Sequence, residues 1–241
     1  NNTVLIISGI AKNDGLKLEK RIRIEPDDHK YYYSATELQA VDDGIIVKAN
    51  IYDQKTKEFS GYRLNKYFSF DKKPKVIFTF ITTNFDPDPD LYFNAAQNGD
   101  LFILSNAPGL RNVLKIPKSV QPVLIENSSI PAGIQQLGEK NIDSTGWMGF
   151  TRSSAGTFFA SSSATERIIE FFSDGAKIKD IGMSGFEKGE LLAPGNLFFA
   201  KMPSSPTELL TVANRGNRNW IQFDSDGTPE NIIAPLDSGY S

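Results

Sequence analysis

The chain has 241 residues, 39% of them hydrophobic, with a formal net charge of −3, a single histidine and no cysteine. The lack of cysteine excludes disulfide scaffolds, thiol catalysis and cysteine-held metals. The acidic balance argues against nucleic-acid binding, which calls for a basic domain or face. No apolar run approaches the ~18 residues that a membrane span requires; Val4-Leu5-Ile6-Ile7 is short, unflanked by basic residues and followed by charge, so it reads as a strand and not as a signal segment.

Taken in order, Thr3–Ser8 and Leu16–Ile24 read as two strands joined by a turn at Lys12-Asn13-Asp14-Gly15, where Asn, Asp and Gly tolerate positive φ. Tyr31-Tyr32-Tyr33 suits a third strand of this first unit. A second unit begins near Glu37 and holds a turn at Asp42-Asp43-Gly44, then Ile45–Tyr52, a turn through Gln54–Lys57, Tyr62–Phe70 and Lys75–Ile81. In Lys75–Ile81 both alternating sets are apolar, which predicts cover on both faces. Basic residues crowd Lys48 to Lys75, and they read as a solvated edge whose lysines discourage edge-to-edge pairing.

Asp86-Pro-Asp-Pro-Asp90 alternates carboxylates but lacks the glycine and distal glutamate of a calcium loop, so it reads as a stiff turn. Leu91–Asn94, Leu101–Leu104, Asn112–Ile116 and Val123–Ile125 form a third set of four strands, with turns at Asn98-Gly99-Asp100 and Ala107-Pro108-Gly109. A less regular link from Glu126 to Ser144 has room for one helical turn. The fourth set is Trp147–Arg152, Thr157–Ser161, Arg167–Phe172 and Lys177–Ile181; the fifth is Leu197–Met202, Leu209–Val212, Trp220–Phe223 and Asn231–Ala234.

The fourth set lies on the fifth without a gap at a constant shift of 52 residues. That shift pairs Phe158 with Leu210, Ala160 with Val212, Phe171 with Phe223, Asp174-Gly175 with Asp226-Gly227 and Ile181 with Ile233. The third set fits at a shift of 55, with Val113-Leu-Lys-Ile116 on Ile168-Ile-Glu-Phe171. Four-stranded repeats of this length predict an all-β fold, a β-propeller of four-stranded antiparallel blades with about five blades visible. The expected domain is one propeller over residues 1–241, in units of about 1–36, 37–85, 86–144, 145–190 and 191–241.

Leu209–Ile233, and less closely Thr157–Ile181, resemble the NHL repeat: a strand ending in Val-Ala, a small polar turn, an arginine, an apolar strand, then Phe-Asp-x-Asp-Gly. The family's aspartate after the Val-Ala strand is Asn214 here and Ser162 in the preceding unit, and its arginine corresponds to Arg218, displaced by one place, and to Arg167. Two closures follow: a five-bladed ring with an imperfect last blade, or a piece of a six-bladed ring, which the abrupt start of the chain favours.

No catalytic constellation emerges. His29 alone cannot build the multi-histidine zinc sites of the amidating lyases that share this repeat, and no Gly-x-Ser-x-Gly or phosphate-binding glycine loop occurs. Ser69-Phe-Asp-Lys72 has the Ser-x-x-Lys spacing without its Lys-Thr-Gly companion. The function read from the sequence is therefore a non-catalytic binding or scaffold module, with a protein partner first and a glycan second. Its rim residues are Trp147, Arg152, Arg215, Arg218 and Trp220, types that dominate binding hot spots. The alternative is a calcium-dependent hydrolase similar to the six-bladed lactonases and gluconolactonases, with Asn94, Glu190 and Asn196 near the starts of inner strands; otherwise no cofactor is expected. Export is favoured over a cytoplasmic location, and the sharpest difference between the two repeats is Asn214-Arg215-Gly216-Asn217 against Ser162-Ser163-Ala164-Thr165.

Overall fold

Residues 3–8, 17–23, 30–41, 43–68, 73–82, 91–96, 98–105, 113–127, 129–137, 146–172, 176–201 and 207–233 are described by the computed structural model. Strands are the dominant regular structure among them, with one 3-10 turn at Lys118–Val120. Two compact units are formed, one from Asn1–Pro87, Ala95–Asp100 and Ile116–Ile134, the other from Asp88–Asn94, Leu101–Lys115 and Gln135–Ser241. The sequence features at Lys12–Gly15, Asp27–His29, Ser69–Lys72, Asp86–Asp90, Ala107–Gly109 and Asp174-Gly175 lie outside the described residues.

In the first unit, β1 (Thr3–Ser8) pairs antiparallel with β2 (Lys17–Arg23). Then β3 (Tyr31–Val41), β4 (Gly44–Asp53), β5 (Phe59–Tyr67) and β6 (Lys75–Ile81) form an antiparallel meander. Tyr31-Tyr32-Tyr33 therefore opens the second sheet and is not a third strand of the first. The reason is continuity: β3 pairs with β4 along its whole length, from Tyr31 opposite Asp53 to Val41 opposite Gly44. A bulge between Ala35 and Glu37 absorbs one extra residue, so Tyr33, Ala35 and Leu38 stay opposite Ile51, Ala49 and Val47. Tyr33, Val47, Ala49, Ile51 and Tyr67 make the core on that face. Gly61 sits at φ +148, and a Cβ there would strike the Phe80 carbonyl on the neighbouring strand, so the close approach of β5 and β6 requires glycine.

The third sheet contains β7 (Leu91–Ala95), β8 (Leu101–Ser105) and β9 (Val113–Ile116). The next strand, β10 (Val123–Glu126), does not complete it: β10 crosses to pair parallel with β6, Val123 opposite Phe78 and Ile125 opposite Phe80. The third sheet takes β11 (Gln135–Leu137) as its outer strand instead, antiparallel to β9. Side chains explain the exchange. Val123 and Ile125 are buried on β10, whereas Gln135 and Gln136 are exposed and suit a solvent-facing edge. The link from Glu126 to Ser144 accordingly carries a strand, and its described part has no helix. The lysine-rich second sheet also differs from the sequence reading, because its outer strand β6 is covered by β10 and Lys48 and Lys66 sit on interior strands. Lys48 Nζ lies 2.8 Å from Glu37 and Lys66 Nζ 2.6 Å from Asp43.

The second unit holds β12 (Trp147–Arg152), β13 (Phe158–Ser162), β14 (Arg167–Phe171) and β15 (Lys177–Ile181) in one meander. A short parallel pair, β16 (Met183–Ser184) with β17 (Glu190–Leu191), leads into the last meander of β18 (Pro194–Lys201), β19 (Glu208–Asn214), β20 (Asn219–Phe223) and β21 (Pro229–Ile233). The 52-residue repeat is carried by the hydrogen-bond register itself. Phe158 faces Phe171 as Leu210 faces Phe223, and Ala160 faces Ile169 as Val212 faces Ile221. The third and fourth strands carry a bulge at the same place, after Glu170 in one sheet and after Gln222 in the other. Only the first strands break the shift: Phe150 faces Ala160 but Leu197 faces Val212, so the first connection is five residues longer in the last sheet.

Phe159, Ile168 and Ile181 of one sheet and Leu197, Leu210, Val212, Ile221 and Phe223 of the next share a single core. Phe150, Phe158 and Phe171 stack across their own sheet at 5.4–6.3 Å between centroids. In the β20–β21 turn the Asp224 carboxylate accepts the backbone N–H groups of Asp226 (2.9 Å) and Thr228 (2.8 Å), and Gly227 takes φ +83.

Candidate functional site

Antiparallel pairing sorts the five sequence-selected residues between two ends and one face of these sheets. Arg152 ends β12 opposite Phe158, and Ser154 just beyond donates its N–H to the Glu208 carboxylate at 3.1 Å, so this end also holds the start of β19. Asn214, at the far end of β19, pairs with Pro194 where β18 begins. Ser161, towards the far end of β13, donates its hydroxyl to the Gly195 carbonyl at 2.6 Å. Arg152 therefore lies at one end, and Arg215 and Arg218, in the turn after Asn214, lie at the other. The single rim expected from the sequence is two separate surfaces.

Trp147 is fully buried in β12, and its backbone carbonyl accepts the Tyr92 hydroxyl at 2.9 Å; it is a core residue, not a surface one. Arg152 is half-buried, with its guanidinium 5.7 Å from the Phe102 and Phe158 ring centroids and its Nε donating to the Gly156 carbonyl at 3.3 Å. Its charge is spent on bracing its own turn. Trp220 lies on a sheet face, edge-on to Phe198 at 5.8 Å.

The end carrying Arg215 and Arg218 is built around the connection from Ile181 to Leu192, for two reasons of sequence. First, Asn214 replaces the Ser162 of the preceding sheet and is long enough to reach that connection: fully buried, it accepts the Leu192 N–H at 2.8 Å and donates to the Glu190 carbonyl at 3.0 Å. Second, Asn217 donates to the Gly185 carbonyl at 2.9 Å, and the Gly216 N–H to the Leu192 carbonyl at 2.8 Å. From the other side, Ser184 hydrogen-bonds the Glu166 carboxylate in the β13–β14 turn. Within the connection, the Glu190 carboxylate accepts the Glu187 N–H at 2.8 Å. A surface loop tied to both neighbouring sheets in this way has little freedom left to lose on binding. It displays Met183, 66% exposed, and Phe186, 80% exposed, beside the exposed Arg215 and Arg218. Sequence reasoning missed Met183, Phe186 and the two asparagine clamps, although the divergence of 214–217 from 162–165 pointed to this place.

Among the described residues, the perturbed ionisations belong to the first unit. The Lys66 ammonium holds the Asp43 carboxyl below its ordinary range. The Thr56 and Lys55 N–H groups do the same for Asp53, and burial pushes the Tyr67 phenol up. Of the residues considered for calcium, the Glu190 carboxylate is engaged as above, Asn94 is half-buried on β7 and Asn196 is exposed on β18. Among the described residues no group of three His, Cys, Asp or Glu side chains could hold a metal ion, and no helix is long and apolar enough to cross a membrane.

No family model and no curated protein matches the sequence. Solved structures do match the fold. A protein of unknown function from Bacteroides caccae is 10% identical at a TM-score of 0.53, with 93% of this chain and 67% of that chain covered. Virginiamycin B lyase from Staphylococcus aureus is 11% identical at 0.53, over 98% of this chain and 64% of the lyase. A catalytically inactive histidine-to-alanine form of that lyase, solved with quinupristin, gives 10% and 0.56 over 98% and 79%. These neighbours are β-propellers, and with its four-stranded antiparallel sheets this chain is an all-β protein of the β-propeller class. It spans about two thirds of the length of the first two structures.

Proposed function

We propose that this protein is a non-catalytic binding module of NHL-like blades that recognises a protein partner through the end bearing Met183, Phe186, Arg215 and Arg218. The observation that carries this reading is Phe186, 80% exposed on a connection fastened to two sheets. Exposing a phenylalanine is unfavourable by about 1.5–3 kcal/mol relative to burying it, and an aromatic held rigidly beside arginines is the make-up of an interface hot spot. A partner offering an apolar pocket with acidic groups at its margin fits this surface; a glycan is the second choice. The shared 52-residue register supports the NHL-like description of the blades.

The test is affinity capture with wild-type protein and with Phe186→Ala, each checked for an unchanged circular dichroism spectrum. The expected result is a protein captured by the wild type and lost with the variant. Equal capture by both rejects this surface. A calcium-dependent rise in melting temperature accompanied by lactone hydrolysis would favour the hydrolase reading.

A further inference from the structure

The outer edges of three sheets are finished in three ways, and the differences point to a second interaction surface, on the last sheet. The edge of the second sheet, β6, is covered by a strand from a distant part of the sequence. β10 adds to it in parallel, with Val123 and Ile125 buried and Leu124 and Glu126 exposed. A sheet of this protein thus accepts a fifth, extended strand on its outer side.

The edge of the fourth sheet, β15, is defended instead. Its Lys177 and Lys179 lie in ion pairs with Asp180 (2.8 Å) and Glu170 (3.4 Å), and Arg167 reaches Asp180 at 3.4 Å. Lysines on an outer strand oppose further pairing because an added strand would have to desolvate them.

Among the described residues, the edge of the last sheet, β21, is uncovered, and its one charged side chain is Glu230. At the 52-residue shift Lys177 becomes Pro229, Lys179 becomes Asn231 and Glu170 becomes Gln222. The ion pair is replaced by a neutral hydrogen bond from Asn231 to Gln222 at 3.1 Å. Pro229 stands only at the first position of the strand, where it leaves the following N–H groups available. Ile232 and Ile233 are each 46% exposed, and among the described residues no strand lies outside β21.

We propose that the outer edge of β21 is a strand-addition site for an extended segment of a partner protein, running parallel to β21 and carrying β-branched residues at alternate positions, as Val123 and Ile125 do on β10. Main-chain hydrogen bonds would hold the segment, and its side chains on the two faces would pack beside Ile232 on one and Ile233 on the other. The two surfaces adjoin where Gly189 lies against Pro229, but this proposal rests on β21 and not on Phe186.

The probe is a fluorescent peptide with the sequence of Gln121–Asn127, titrated into the intact protein and followed by anisotropy and by hydrogen exchange. Saturable binding with slowed exchange over Glu230–Ile233 is expected. In the double variant Gln222→Glu, Asn231→Lys, which transfers the Glu170–Lys179 pair to the last sheet, binding should weaken at least tenfold with an unchanged circular dichroism spectrum. Capture that depends on Phe186 should be unaffected by this variant. Three results would each overturn the proposal: no binding, protection confined to β6 and β10, or a concentration-dependent dimer by light scattering that the double variant abolishes, since the last would make a second copy of the chain the occupant.

Discussion

Replacing Asn214 by alanine removes both side-chain hydrogen bonds that fasten the Ile181–Leu192 connection to β19. The Leu192 N–H loses its acceptor at 2.8 Å, and the Glu190 carbonyl loses its donor at 3.0 Å and keeps only the longer bond from Asn217 at 3.5 Å. Each bond contributes about 0.5–1.5 kcal/mol net, and each main-chain group left unpaired in a buried setting costs about 1–3 kcal/mol. Part of that cost is recovered if the connection lifts away to meet water. The expected loss is therefore about 2–4 kcal/mol, larger than a surface substitution gives. Asn214→Asp separates the two contributions: it keeps the acceptor for Leu192 but sets a carboxylate oxygen against the Glu190 carbonyl, and should be no better than alanine. Urea unfolding supplies the magnitude, and hydrogen exchange at the Leu192 amide supplies the location. A loss under about 0.5 kcal/mol for Asn214→Ala, with the Leu192 amide exchanging as slowly as in the wild type, would show that the clamp does not hold the connection.

Other consequences follow from the packing and the ionisable groups. Phe223→Ala empties a fully buried position in the core shared by the last two sheets and should cost about 3–5 kcal/mol in urea unfolding. Tyr67→Phe should be neutral or stabilising, because the Tyr67 hydroxyl is buried without a hydrogen-bond partner. Burial also raises the phenol in the folded protein, so the unfolded chain ionises first. Wild-type stability should accordingly fall as pH rises beyond about 10, and Tyr67→Phe should remove that part of the fall. Asp43 is the acid counterpart. Its folded carboxyl is lowered by Lys66, so its contribution is present above the unfolded value near pH 4 and is lost as pH falls through the depressed folded value. Asp43→Asn should flatten that acid limb, by about 0–1 kcal/mol for so exposed a pair.

Where the sequence repeats itself, it was legible almost to the residue. The ungapped match of the fourth and fifth strand sets foretold a common register because side-chain alternation and a turn of fixed length leave no other way to align buried Phe158, Phe171, Leu210 and Phe223. Strand addition by β10 was not legible. A parallel pairing across a long connection leaves no local turn signal, and Val-Leu-Ile-Glu fits any half-buried edge. The bulge that extends β3 backwards through Tyr31 was hidden for a similar reason, since bulges are decided by the partner strand. At the candidate site, residue types were informative but positions were not. Arg152, Arg215 and Arg218 look alike in sequence, yet chain direction puts Arg152 at the opposite end and folds its charge onto Phe102 and Phe158. Trp147 likewise cannot be told from a surface tryptophan until Tyr92 and the sheet close over it. Phe186 passed unnoticed because a lone phenylalanine between glycines has no pattern, and its exposure becomes meaningful only once Asn214, Asn217 and Ser184 are seen to hold the loop around it.

The most direct measurement of the central claim is calorimetric titration of the captured partner into wild-type protein, Phe186→Ala, Arg218→Ala and Arg152→Ala. A binding surface centred on Phe186 predicts that Phe186→Ala weakens binding by about 30-fold, the loss of a hot spot near 2 kcal/mol. Arg218→Ala should weaken it to a smaller degree, and Arg152→Ala, at the opposite end of the sheets, should leave the affinity unchanged. An affinity lost with Arg152→Ala and retained with Phe186→Ala would contradict it and move the binding surface to the other end.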